Sequence, residues 1–174
     1  GDYLRINSII DEKKGVVMLD GFVYHPGRFA FEEGMTIKDL LSRIEDVPKG
    51  LDLEYGLITR TDPVSGYLSV LAFKPREMLN SANFSSKNIQ LQDRDIIRLF
   101  SIDGDRNSEI RGVVNALIRQ SRAGDLPAVA DISGARLSGR YPITENMTIT
   151  DLIVAAGGLT PNYADLDYSV IVRE

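Results

Sequence analysis

Residues 27–41 read GRFAFEEGMTIKDLL and residues 139–153 read GRYPITENMTITDLI. At a constant offset of 112 positions, Gly27, Arg28, Glu33, Met35, Thr36, Ile37, Asp39 and Leu40 recur as Gly139, Arg140, Glu145, Met147, Thr148, Ile149, Asp151 and Leu152. A second block follows each. Asp52-Leu53-Glu54-Tyr55, with Ile58 and Arg60, returns as Asp165-Leu166-Asp167-Tyr168, with Ile171 and Arg173, now at an offset of 113. One residue has been gained or lost between the blocks. The spacing is too long for a stacked solenoid, so the chain reads as a duplicated domain. Arrays of one small domain generally bind or build.

Local signals follow the same order in both copies. Val16 to Val23 is apolar and β-branched and reads as a strand. His25-Pro26-Gly27 predicts a type II turn, with Gly27 at φ > 0. Arg28 to Phe31 returns as a second strand. The second copy offers Ala130 to Leu137, Ser138-Gly139 and Arg140 to Ile143. Thr36-x-x-Asp39 and Thr148-x-x-Asp151 then mark helix starts, since the hydroxyl accepts from orphan N–H groups and the carboxylate suits the positive helix end. Ile37, Leu40, Leu41 and Ile44 form a helical stripe, repeated as Ile149, Leu152, Ile153 and Ala156. Gly157-Gly158 predicts a left-handed stop for the second helix, and Val47-Pro48 ends the first. Tyr55 to Thr61 and Tyr67 to Phe73 read as a hairpin, Pro75 to Leu79 as a short helix, and Asp95 to Phe100 as a closing strand.

Between the copies, Ile110, Val113, Val114, Leu117 and Ile118 make an amphipathic stripe, with Arg111, Asn115 and Arg119 on another face. Ser108 and Gly124 are the expected caps of a helix over 108–123. Such a helix packs on one or both copies and fixes their orientation. Gly1-Asp-Tyr-Leu-Arg-Ile6 resembles Arg94-Asp-Ile-Ile-Arg-Leu99. The expected division is therefore 1–10, closing strand of a preceding repeat; 11–102, first domain; 103–128, connecting helix; 129–174, second domain, ending before its closing strand. Residues 3–7 then either fill the vacant edge of the second repeat, within or between chains, or leave it open. The Gly-Asp start, without Met, suggests a piece of a longer protein whose targeting segment lies elsewhere.

The 174 residues are 43% hydrophobic and 26% charged, ordinary for a globular protein. A net charge of −5 argues against a nucleic-acid surface. No apolar run approaches the roughly 18 residues of a membrane span, so no membrane insertion by this segment is expected. With no cysteine, disulfides and thiolate zinc sites are excluded, while the compartment stays open between periplasm and cytosol.

The pattern V-x-x-x-G-x-V-x-x-P-G-R-F, then M-T-I-x-D-L-L, D-L-x-Y-x-x-I-x-R and L-Q-x-R-D-x-I-R-L-F, resembles the SLBB domain (soluble ligand-binding β-grasp). More narrowly it is similar to the multi-SLBB capsule and exopolysaccharide export proteins of Gram-negative bacteria. The resemblance implies an α+β fold of tandem β-grasp (SLBB) domains, each a mixed sheet with one main helix, joined by the amphipathic helix. It implies a periplasmic, outer-membrane-associated protein that exports polysaccharide through an oligomeric assembly. The expected partners are other SLBB repeats, further copies of the chain, and polysaccharide. The second copy departs from the pattern at Arg136-Leu137-Ser138-Gly139, one residue short of the first.

Catalytic signals are sparse, and no cofactor is expected. His25 is a lone turn imidazole without a sequence-local partner. Glu32-Glu33 and Glu45-Asp46 read as solvated faces rather than acid/base pairs. Asp103-Gly-Asp105-Arg-Asn107 opens like a calcium loop, but Ser108 and Val114 stand where Gly and Glu belong, so an acidic turn entering a helix is the simpler reading. Arg28-Phe29 and Arg140-Tyr141, at equivalent places, pair a guanidinium with an aromatic face, which suits acidic sugars. The competing reading puts both aromatics in the core. Tyr24, Arg136, Asn162 and Tyr163 complete the candidate ligand-binding set. The expected function is a non-enzymatic export module acting in assembly or glycan contact. The alternatives are a small-ligand binding module with a pocket between hairpin and helix, or a polysaccharide-modifying enzyme needing two converging carboxylates.

Overall fold

The computed structural model describes residues 15–44, 46–79, 88–121 and 127–160. Its main sheet has five strands: β1 (Val16–Gly21), β2 (Gly27–Ala30), β3 (Leu51–Thr61), β4 (Leu68–Phe73) and β5 (Ile96–Ser101). Their order is β2-β1-β5-β3-β4. β1 and β5 lie parallel in the middle, in the register Leu19↔Ile97 and Asp20↔Arg98, and all other pairs are antiparallel. The fold is α+β, a mixed five-stranded sheet packed against helices.

Two short helices cover one face: α1 (Ile37–Leu41) and α2 (Pro75–Leu79). Alternation along the strands decides what they meet. Val17, Leu19, Ile58, Ile97 and Leu99 point to this side and pack with Ile37, Leu40, Leu41 and Met78 in one core. The predicted capping box is present, Asp39 N–H donating to Thr36 Oγ1 at 3.3 Å and Thr36 N–H to Asp39 Oδ2 at 2.8 Å. α1 stops at Leu41, well before Val47-Pro48, because the chain tightens at once: Arg43 N–H donates to the Leu40 carbonyl and Ile44 N–H to that of Leu41.

On the opposite face lies α3 (Arg106–Gln120), followed by β6 (Val129–Ile132), β7 (Gly139–Pro142) and α4 (Ile149–Ala155). Ile110, Val114 and Leu117 of α3 pack with Tyr55, Leu57 and Phe100 of the sheet and with Tyr141, Ala155 and Ala156 beyond it, forming a second core. The stripe expected of this helix is thus consumed inside the molecule, while Arg111, Asn115 and Arg119 stay exposed. The expected N-cap at Ser108 is corrected to Asp105, whose carboxylate accepts from Ser108 N–H at 3.1 Å. Ser121, extended at φ −65° and ψ 136°, ends the helix; Gly124 lies outside the described residues.

The hairpin β6–β7 reproduces β1–β2. Val17↔Phe29 and Leu19↔Gly27 correspond to Ala130↔Tyr141 and Ile132↔Gly139. Each first strand breaks at a left-handed glycine, Gly21 at φ 88° and Gly134 at φ 80°. That glycine, not Gly27, makes the reversal. Gly27 is not left-handed and opens β2, which corrects the expected type II turn. A Cβ on Gly21 would stand 2.1 Å from the Leu99 carbonyl oxygen. The strand expected over 130–137 likewise ends at Ile132, just ahead of Gly134. α4 repeats the capping box with Thr148 and Asp151 and stops at Gly157 and Gly158, both at positive φ. Its stripe is less covered than that of α1: Ile149 is 54% exposed, whereas Ile37 is fully buried. Among the described residues the second copy thus shows a hairpin and a helix; residues 161–174 lie outside the description.

The Thr36 hydroxyl and N–H hold the Asp39 carboxyl below the usual carboxylate range. A depressed folded value contributes stability that is fully present above the unfolded pKa of about 3.9 and is lost as pH falls through the folded value. Thr36→Ala should therefore cost about 1 kcal/mol in urea unfolding at neutral pH, and the gap from the wild type should narrow in strong acid. A gap that stays constant with pH would contradict this account of the cap.

Candidate functional site

The most heavily constructed place in the molecule is the seam between the two cores, and it is organised by one arginine. Arg106 is fully buried, and its guanidinium donates through Nη2 to Asp52 Oδ2 and through Nη1 to the Ala155 carbonyl. Its Cζ lies 5.3 Å from the Tyr55 ring centroid and 5.1 Å from that of Phe100. These two rings stack on one another at 5.4 Å. One side chain therefore joins the start of β3, the end of β5 and the C-terminal turn of α4. A helix C-terminus carries unsatisfied carbonyls and partial negative charge, so a cation there is favoured twice. Asp52 also accepts from Glu54 N–H at 2.8 Å, which fixes the carboxylate. Among the described residues, Tyr55 Oη and Arg106 Nε are buried without a hydrogen-bond partner. Burial pushes the Tyr55 phenol up, out of reach of physiological pH, with Arg106 opposing the shift.

Arg136 adds a second clamp at the seam's rim. It donates to the Ile102 carbonyl, to Asp103 Oδ1 at 3.2 Å and to the Gly157 carbonyl at 3.3 Å. Asn107 Nδ2 reaches the Ser138 carbonyl at 3.0 Å. The acidic segment 103–107 thus serves as a joint: Asp103 receives Arg136, Asp105 caps α3, and Arg106 enters the core.

The other candidates are scattered. Tyr24 is 55% exposed in the β1–β2 connection. Arg28 lies opposite Met18 on exposed β2, and Phe29 packs half-buried on the first core. Arg140 makes a bidentate pair with Asp131 at 2.9 and 2.6 Å across the hairpin. Tyr141 is fully buried and donates to the Leu137 carbonyl at 2.6 Å. Phe29 and Tyr141 therefore sit as core-side residues next to arginines that stay outside. Asn162 and Tyr163 lie outside the described residues. His25, Glu32, Glu33 and Asp46 are exposed.

Two open grooves have useful size. One, of about 480 Å³, runs along β4 between Leu68–Ala72, the end of α3 and residues 143–146. The other, of about 490 Å³, is lined by Phe31, Glu33, Gly34, Arg60 and residues 90–93. Arg60 contributes to both, held by a bidentate pair to buried Asp95 at 2.9 and 2.7 Å. None of the described ligand-binding candidates, Tyr24, Arg28, Phe29, Arg136, Arg140 and Tyr141, lines either groove. Sequence spacing had no means of pointing to them, because strand edge, helix end and loop meet only in three dimensions.

The SLBB domain model matches residues 139–174, which begin at β7 and include α4. It describes a family of binding modules, not of enzymes. No curated protein matches the chain. No helix among the described residues is long and apolar enough to cross a membrane.

Arg106→Met should cost about 3–5 kcal/mol in urea unfolding, because Asp52 is left as an uncompensated buried charge. Adding Asp52→Asn should recover much of that loss. A double variant as unstable as the sum of the singles would show that the pair is not coupled.

Proposed function

We propose that this chain is a non-enzymatic module of a capsule or exopolysaccharide export protein of Gram-negative bacteria. It would work in the periplasm, associated with the outer membrane, as a rigid segment of an oligomeric wall. The observation that carries this reading is the buried Arg106 joint. A solute receptor that closes on its ligand needs two bodies free to hinge. Here the second copy is fastened to the first through a buried ion pair, an aromatic stack and helix-end carbonyls, and the connecting helix lies between them. Fixed relative orientation is what a wall of repeated units requires. The internal duplication and the SLBB match over 139–174 support the same reading.

A second reading, soluble-ligand binding, is favoured by the groove along β4. Its apolar wall of Leu68, Leu71 and Ile143 faces a polar rim of Ser69, Thr144, Glu145 and Asn146. That combination suits a pyranose, with an apolar face to cover and hydroxyls to bind.

Mass in solution, measured with and without capsular oligosaccharide, separates the two. The wall reading expects a discrete oligomer whose mass the sugar leaves unchanged. A chain that stays monomeric, with sugar-induced amide shifts confined to Leu68–Ala72 and residues 143–146, would replace it with the ligand-binding reading.

A further inference from the structure

Arg60 stands where the two open grooves meet and lines both. The boundary is shared a second time, since Ile89 lines the groove along β4 and Gln90 lines the other. The wall between them is tied down: Ile37 N–H donates to the Ile89 carbonyl at 2.9 Å, and Leu91 N–H to that of Met35 at 2.8 Å. The Arg60 guanidinium is held just as firmly. Nε and Nη2 donate to buried Asp95 at 2.9 and 2.7 Å, and Nη2 also donates to the Gln90 carbonyl at 3.0 Å. Asp95 is fixed in turn, accepting from Gln92 N–H at 2.8 Å. Nη1 makes no hydrogen bond among the described residues, and the side chain keeps 18% of its surface exposed. A preorganised donor is therefore presented at the junction, with little ordering left to do when a ligand arrives.

We propose that the two grooves form one site for a neutral oligosaccharide that crosses the Arg60 guanidinium. This rests on the soluble-ligand reading above and extends it to a second groove and to one class of glycan. At about 480 and 490 Å³, each groove falls within the roughly 300–1,000 Å³ usual for small-ligand sites. Phe31 gives the second groove an apolar wall, as Leu68, Leu71 and Ile143 do the first. Beside Phe31, the side-chain amides of Gln90 and Gln92 and the Glu33 carboxylate make no hydrogen bond among the described residues. They are free to donate to and accept from sugar hydroxyls. The charge balance selects the class. Arg60 is the one cation lining the grooves among the described residues, and Asp95 already neutralises it. Asp93 is faced by Arg94 at 3.6 Å, whereas Glu33 and Glu145 have no ion-pair partner among the described residues. A uronate or phosphorylated sugar would bring like charge against these two carboxylates, which suppresses binding. A neutral chain meets the same donors and acceptors without that repulsion.

The test titrates tetrasaccharides of glucose, galactose and mannose, and the matching tetra-uronates, into the isotope-labelled chain and follows its amide NMR shifts. A neutral tetrasaccharide should move amides of both grooves, residues 68–72 with 143–146 and residues 31–34 with 90–93, along a single binding curve. The uronates should bind at least about tenfold more weakly at low salt. Glu33→Lys combined with Glu145→Lys, both exposed positions, should narrow that gap to below about threefold with unchanged circular dichroism. Shifts confined to the β4 groove would leave the single-groove reading standing and overturn the joined site. Uronates that bind as tightly as the neutral sugars, or a preference that the two lysines leave intact, would overturn the assigned class. No shift with any tetrasaccharide would remove this inference and the soluble-ligand reading together.

Discussion

A buried guanidinium is the constraint to which the rest of this molecule answers. Arg106 cannot be buried cheaply; it needs an anion, acceptors for its other protons and something polarisable against its face. Each requirement recruits a different part of the chain. Asp52 at the start of β3 supplies the charge, the Ala155 carbonyl at the end of α4 supplies an acceptor, and Tyr55 and Phe100 supply the rings. Meeting all of them at once fixes β3, β5, α3 and α4 relative to one another. Each of these partners is directional, so the guanidinium ties four elements to one point in the seam.

The two copies share a plan and differ in how far it is filled in. Both have the hairpin, the left-handed glycine at the end of its first strand, the Thr–Asp capping box and the short helix. In the first copy the space between hairpin and helix is filled by Ile97 and Leu99, and Ile37, Leu40 and Leu41 are sealed. In the second, helix α4 has turned part of its surface to the seam, where Ala155 and Ala156 are buried. The small alanines let Arg106 approach the helix end, so the same helix that repeats α1 in sequence has a different buried edge.

Legibility followed the range of the signal. The capping boxes, the β1–β2 strands, the short helix at Pro75–Leu79 and the stop at Gly157-Gly158 could be read because each depends on residues within one turn or one strand. The stripe of α3 was legible for the same reason, but not which surfaces it would meet. Arg106 was not legible. It sits in a polar stretch between Asp105 and Asn107, where a charge reads as solvated, and its partner Asp52 is far away in sequence. Two copies of one Arg–aromatic motif invited a shared ligand-binding reading. The structure separates the components: Tyr141 lies within the second core, and Arg140 is tied across its hairpin to Asp131. The grooves join an edge strand to a later loop, and no local pattern encodes such a meeting.

Sheet edges give the last step. An unpaired edge is a template for another strand, and proteins generally blunt it. At β4 the blunting is visible: the Gln120 side-chain amide imitates a strand, Nε2 donating to the Leu68 carbonyl at 2.7 Å and Oε1 accepting from Leu68 N–H at 2.8 Å. A helix-borne amide thereby occupies the first rung of that edge and keeps the remaining groove for something other than a continuous strand. At β6 no side chain plays that part among the described residues. Across the second hairpin the Arg140–Asp131 pair bridges β6 to β7 and braces the two strands against one another. The edge of the first sheet is thus capped from a helix, and the second hairpin is braced from within.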